Sequence, residues 1–269
     1  MNSSKKSSFS ISVKKSLAML ATSATLLSAN TYADEPTLLS ATQLKLDIYK
    51  VSTSFHQLTL HEGDTSIQSE LEENISSLNE SAENLGSQEA PESADNIQEV
   101  LAITKDYAHF ATKNEIASEG FTSQYAVNDL HESRHNLLAA LDQVITQQSE
   151  QVGNSEKNDF LKAAALLQMM TSQYVRRANS NGGAGLYVAN EENLDTPDIL
   201  ADRFSELLNK LQAAHKSDNN LKADLKSISR KWLFVEPSFK NYNQDTVPYL
   251  LTKYCNTIVS KLKAAQDKI

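Results

Sequence analysis

The sequence predicts an all-α protein: two tandem up-down four-helix bundles, eight helices in all, behind a cleaved signal peptide. Glycine and proline supply the first observation. All seven glycines and all five prolines fall where a break is expected. Glycine costs a helix interior about 1 kcal/mol and proline about 3 kcal/mol relative to alanine, so the stretches between them suit uninterrupted helix. The second observation is that those stretches carry apolar residues three and four apart, the period of one helical face. The third is the start of the chain. Lys5, Lys6, Lys14 and Lys15 precede an apolar run from Leu17 to Ala29, and Thr31-Tyr32-Ala33 stands before Asp34. That order is the pattern of a secretory signal peptide over residues 1–33, cleaved after Ala33. The run is too short and too rich in Ser and Thr for an uncleaved anchor, and no later segment approaches the 18 continuous apolar residues of a membrane span.

The mature region divides at Gly153-Asn154-Ser155 into a first bundle, 34–152, and a second, 153–269. In the first, Ala41, Leu44, Ile48, Val51, Phe55 and Leu58 form a coiled-coil-like seam ending near Gly63. Asp64-Thr65 caps a second helix with Ile67, Leu71, Ile75, Leu78, Ala82 and Leu85 on one face and Gly86 at its end. Pro91 opens a third at the first-turn position, where its missing N–H is harmless; this helix runs to about Ser118 before Gly120. The fourth carries Val127, Leu130, Arg134, Leu137, Leu141 and Val144.

The second half repeats the plan. Phe160, Ala163, Leu167, Met170 and Tyr174 mark a fifth helix, from about Glu156 to Asn179, followed by a long break holding Gly182, Gly183 and Gly185. Asp195-Thr196-Pro197 starts a sixth with Ile199, Phe204, Leu207 and Leu211. A seventh (Leu221, Leu225, Ile228, Trp232, Val235) stops at Pro237, and an eighth begins at Asp245-Thr246-Val247-Pro248. Short links make sequential helices antiparallel, so each group of four closes as a bundle. The second bundle is open to stacking end to end on the first, with one merged domain as the alternative.

Charge and cysteine narrow the function classes. The four lysines before residue 34 have no acidic counterparts, so cleavage takes the net charge from −9 to −13. No basic stripe with interleaved aromatics offsets that field, which excludes nucleic-acid binding. Cys255, the only cysteine, has no internal partner and reads as a small core residue. A barrel is not expected from so helical a pattern, which points to the bacterial periplasm.

Two motifs invite chemistry. His131-Glu132-Ser133-Arg134-His135 matches H-E-x-x-H, in which histidines four apart share a helix face and the glutamate activates a zinc-bound water. Arg134 on the heptad seam turns His135 outward, no third ligand is defined, and no strand is expected beside the helix. An exposed polar face is favoured over adventitious metal binding, and that over a zinc-dependent hydrolase. Gly182-Gly183-Ala184-Gly185 follows a helix instead of opening one, so it ends a helix and does not cradle phosphate. No nucleophile elbow or haem-attachment motif is present. No catalytic residue, metal ligand or cofactor is assigned.

Aromatics are uneven, ten beyond residue 150 against six in residues 34–150, and they gather near Pro237. Trp232 and Tyr254 fall on helix seams, whereas Phe239 and Tyr242 lie in an expected loop, Ser238 to Gln244, free to line a pocket. With Arg230 beside them and Arg176 and Arg177 ending another helix, they suggest a site for a small anionic ligand at a bundle end. The candidate ligand-binding residues are Arg176, Arg177, Arg230, Trp232, Phe239 and Tyr242, against solvated charge as the plainer alternative.

Residues 166–178, Leu-Leu-Gln-Met-Met-Thr-Ser-Gln-Tyr-Val-Arg-Arg-Ala, resemble the first-helix pattern of the extracytoplasmic four-helix sensory domain found in type IV pilus chemotaxis receptors and nitrate/nitrite sensors. Trp232 with Val247, Leu250, Tyr254 and Ile258 is similar to that family's passage from third to fourth helix. Gln168 stands where the family has its first arginine and the serine-glutamine pair is displaced by one position, so the family's ligand site does not carry over. The resemblance covers about half of the mature chain. It implies a stand-alone sensory-type bundle that binds something and informs an inner-membrane or envelope partner. A structural envelope protein is the alternative.

Overall fold

The chain winds twice through the same circuit. The computed structural model describes residues 27–181, 195–242 and 247–269, and every regular element among them is helical. In order they are α1 (Leu27–Leu60), α2 (Thr65–Gly86), a 3₁₀ turn (Pro91–Ser93), α3 (Ala94–Ala111), a single turn α4 (Ile116–Glu119), α5 (Gln124–Val152), α6 (Glu156–Asn181), α7 (Pro197–Ala214), α8 (Asn219–Lys240) and α9 (Pro248–Gln266). The all-α class is as the sequence predicts, and eight long helices match the eight expected seams. The glycine loop at 182–185 and the expected cap Asp245-Thr246 lie outside the described residues, as does most of the signal-peptide segment.

Helices α1, α2, α3 and α5 pack in a closed ring, each against the next, and α6, α7, α8 and α9 form a second ring. Each ring encloses its own core. The seam residues Leu44, Ile48, Val51, Phe55, Leu78, Val100, Leu137 and Leu141 fill the first; Phe160, Leu167, Met170, Phe204, Ile228, Trp232 and Ile258 fill the second. Burying a side chain of this size contributes about 1.5–3 kcal/mol, which is why the apolar spacing dictates which face turns inward.

Local signals act where expected. Asp64 Oδ1 accepts from the N–H groups of Ser66 and Ile67 at 2.9 and 3.2 Å, and Asp218 does the same for Asn220 and Leu221, so each satisfies two donors that a helix start leaves orphaned. Pro197 and Pro248 sit in the first turns of α7 and α9.

Three boundaries need correction. The third helix stops at Ala111, because Asn114 leaves the helix to donate to the Phe55 carbonyl at 2.8 Å; residues 116–119 form a separate turn. Pro237 does not end α8, and Pro36 lies inside α1, so two prolines escape the rule that breaks and prolines coincide. Pro237 falls one turn before the end of α8, where continuing to Lys240 carries Phe239 into the core.

The two rings lie side by side, with their longest contact between α1 and α6, in place of end-to-end stacking. The cross-links fix their sense. Glu35 meets Ser155, Thr53 meets Gln168, Ser52 meets Ser172 and His56 meets Asn179, so both helices rise together. From Val51 to Thr59 every residue of α1 is buried, a helix enclosed on all sides.

Candidate functional site

The α1–α6 contact is polar and buried. On the side of α1 away from its apolar seam stand Ser52, Thr53, His56 and Gln57; α6 answers with Gln168, Thr171, Ser172, Arg176 and Asn179, all buried. Small hydroxyl side chains let the two backbones approach, and hydrogen bonds across the seam offset much of the cost of burying its polar atoms. Gln168 Nε2 donates to Thr53 Oγ1 at 3.0 Å, Ser172 Oγ to Ser52 Oγ at 2.9 Å, and Arg134 Nη1 from α5 to Ser52 Oγ at 3.2 Å. Asn179 Nδ2 reaches His56 Nδ1 and the His56 carbonyl at 3.2 and 2.9 Å. Burial, then the charges of Arg176 and Arg134, then His131, hold His56 well below the ordinary histidine range.

This seam absorbs the H-E-x-x-H motif. Arg176 Nη1 lies 2.8 Å from His131 Nε2; a guanidinium only donates, so that nitrogen's lone pair is taken. His135 is exposed, as the heptad requires, while Arg134 is buried. Among the described residues no three His, Cys, Asp or Glu side chains group as a metal site.

The six sequence-derived ligand residues do not converge. Trp232 and Phe239 are core: the indole packs 4.5 Å from Phe204 and 5.8 Å from Phe239, and its Nε1 donates to Ser205 Oγ at 2.8 Å. Phe239 is fully buried, not in a loop, because α8 carries it inward. Arg176 belongs to the seam. Arg177 and Tyr242 do meet, with the guanidinium carbon 4.6 Å from the ring centroid. Arg230 is exposed on α8, ten residues and so about 15 Å before that helix ends. Five of the aromatics beyond residue 150, Phe160, Tyr174, Phe204, Trp232 and Phe239, are buried in the second core, closed by Tyr174, whose ring meets Phe239 and whose hydroxyl accepts from the Val247 N–H at 3.1 Å.

What the sequence did not reveal is a cleft of about 450 Å³ where α2 of the first ring faces α9 of the second. Thr53 and Gln168 lie at its base, Glu70 and Asn74 line it from α2, and Asn256, Ser260 and Lys263 from α9, with Lys50 below. Glu70 Oε1 accepts from Asn256 Nδ2 at 3.4 Å, and Asn74 Nδ2 donates to Ser54 Oγ at 3.2 Å. Lys50 Nζ is 2.8 Å from the buried carboxylate of Asp47, which also accepts from Gln43 and Ser81. Partial burial pushes the Glu70 carboxyl up, with the Asn256 hydrogen bond opposing; burial, followed by the charge of Lys50, pushes the Lys263 ammonium down. Gln168 is 1 % exposed, and its Oε1 has no hydrogen-bond partner among the described residues. The chain matches no protein-family model, no characterised protein and no solved structure to which it was compared.

Proposed function

We propose that this chain is a non-enzymatic binding module of the bacterial periplasm, which takes a small polar ligand with an anionic group in the α2–α9 cleft and reports its occupancy to an envelope partner. The observation that carries this reading is a cleft with the dimensions of a small-molecule site, lined by Glu70, Lys263 and uncharged polar side chains that include Gln168. Lys263 and Lys50 supply the attraction for the anionic group. Because α2 and α9 belong to different rings, a ligand touching both favours whichever packing of the rings closes the cleft, and that differential affinity is what a sensory module transmits. The signal-peptide pattern supports the compartment, and the likeness of residues 166–178 to a sensory family supports the role.

A thermal-shift screen of the purified protein against periplasmic metabolites, nitrate-like anions and zinc tests the proposal. A saturable upward shift that Gln168→Leu removes supports it, since a ligand that binds only the native state raises its melting point. A shift that survives Gln168→Leu moves the site elsewhere, and no shift with any compound leaves the structural envelope protein.

The partner-facing surface in this reading is the end where α5, α7 and α9 begin. Tyr125, Ile199, Val247, Tyr249 and Leu250 are all exposed there, an apolar set that a solvated end does not need. Photo-crosslinking from position 249, compared with position 269 at the opposite end, tests that assignment: partner adducts confined to 249 are expected.

A further inference from the structure

The polar groups of the cleft are ordered along its length, and the order selects a ligand. Helix α9 descends beside α2, and Asn256, which meets Glu70, stands seven residues above Lys263 on the same face, about 10 Å along the axis. The rungs from α1 give the same levels: Asn74 meets Ser54, and lower down Ser81 meets Asp47, the partner of Lys50. One end therefore presents the Glu70 carboxylate, and the other presents Lys263 and the Asp47-paired Lys50, with Asp267 one turn beyond Lys263. Between them stand uncharged side chains, Thr53, Asn74, Gln168 and Ser260. The charged lining sums to zero, since Lys50 and Lys263 balance Glu70 and Asp267. Such a lining disfavours ligands of large net charge and suits one carrying both signs.

We propose that the cleft takes a linear zwitterion of di- or tripeptide length, with its ammonium beside Glu70 and its carboxylate at Lys263, an assignment that rests on the ligand-binding reading above. Length follows from the spacing. An extended chain spans at most about 3.3–3.6 Å per residue, so two or three residues reach about 7–11 Å and a single amino acid falls short. The middle of the cleft is lined by Thr53, Asn74, Gln168 and Ser260, uncharged polar side chains that suit the peptide groups of such a ligand. At the lower end Lys50 is already tied to Asp47, so Lys263 is the main partner of the carboxylate. Partial burial penalises the charge on both Glu70 and Lys263, and an opposite charge from the ligand offsets that penalty at each end.

The test is calorimetric titration of the full chain with trialanine, alanine, N-acetyl-trialanine and trialanine amide, alongside NMR of the glutamine side-chain amides. Trialanine is expected to bind at least tenfold tighter than each blocked form and than alanine. Glu70→Gln should erase the discrimination against N-acetyl-trialanine only, and Lys263→Met that against the amide only, with unchanged urea midpoints showing that both variants fold. Equal binding of blocked and unblocked peptides overturns the assignment, as does alanine binding as well as trialanine. If peptides fail while another polar compound shifts the Gln168 amide resonances, the peptide assignment falls and the binding cleft stands. If no compound of the metabolite set shifts them, both fall.

Discussion

His56 makes the fold acid-sensitive in a way that is attributable to one side chain. Its ring is 4 % exposed, and it is faced by Arg176 and Asn179 from α6 and by Arg134 and His131 from α5. Burial first and the two arginines next keep it neutral in the folded chain, whereas in the unfolded chain it takes a proton at the ordinary value of 6.5. The unfolded state therefore binds more protons below that pH, and stability must fall as pH falls. It is fully present above 6.5 and declines until the folded ring itself titrates. For one such group the loss is RT ln(1 + 10^(6.5−pH)), which is about 0.4 kcal/mol at pH 6.5, about 1.4 kcal/mol at pH 5.5 and about 2 kcal/mol at pH 5.0 while the folded ring stays neutral. The control is His56→Asn, whose side-chain oxygen stands near the Nδ1 position, accepts from Asn179 and carries no proton. Urea unfolding from pH 8 to pH 5, followed by tryptophan fluorescence, gives both stabilities. The difference between wild type and variant should shrink by those amounts as pH falls. Parallel curves would refute the reasoning, since other histidines and carboxylates contribute equally to both proteins.

Trp232→Ala should cost about 3–5 kcal/mol by circular dichroism, because the indole fills the second core between Phe204 and Phe239; a smaller loss would mean that this core collapses around the gap. Ser205→Ala leaves the Trp232 Nε1 donor buried without its acceptor and should cost about 1–3 kcal/mol, read by the fluorescence of this single tryptophan. Burial pushes the Cys255 thiol up to about 12, so it should stay silent to a disulfide reagent at pH 8 in the native protein and react stoichiometrically in urea. Gly63→Ala and Gly120→Ala separate strain from collision. Both glycines hold positive φ, 82° and 77°, which costs a side chain about 1–2 kcal/mol. A Cβ at 63 would also stand 2.8 Å from the Ala117 backbone, whereas at 120 it meets open space, so the 63 variant should be the less stable in urea melts.

The helices were legible because their signals are local. Apolar spacing, Asp64 as a cap, and Pro197 and Pro248 in first turns each act within a turn or two of chain. Errors came where a distant contact overrode a local rule. Phe239 looked like a loop residue because Pro237 precedes it, yet the second core draws it inward and α8 continues. Asn114 looked helical until the Phe55 carbonyl claimed its side chain. The candidate ligand residues lie apart for the same reason. Arginines and aromatics close in sequence suggested a site, but helix rotation sends Arg176 to His131 and Arg177 to Tyr242, and Trp232 to the core.

By itself the sequence determined the helices, their inward faces and the antiparallel turns of each ring, since a 3.6-residue period ties burial to spacing along one chain. Tertiary structure alone decided what became of the polar faces. Ser52, Thr53 and His56 on α1, with Gln168, Ser172 and Asn179 on α6, look like solvated surface in any reading of a single helix. Two helices some hundred residues apart bury them against one another, and the same packing opens the cleft beside α2 and α9. No local period encodes that meeting, because hydroxyls and amides satisfy water and each other equally well, and only the assembled rings determine which they meet.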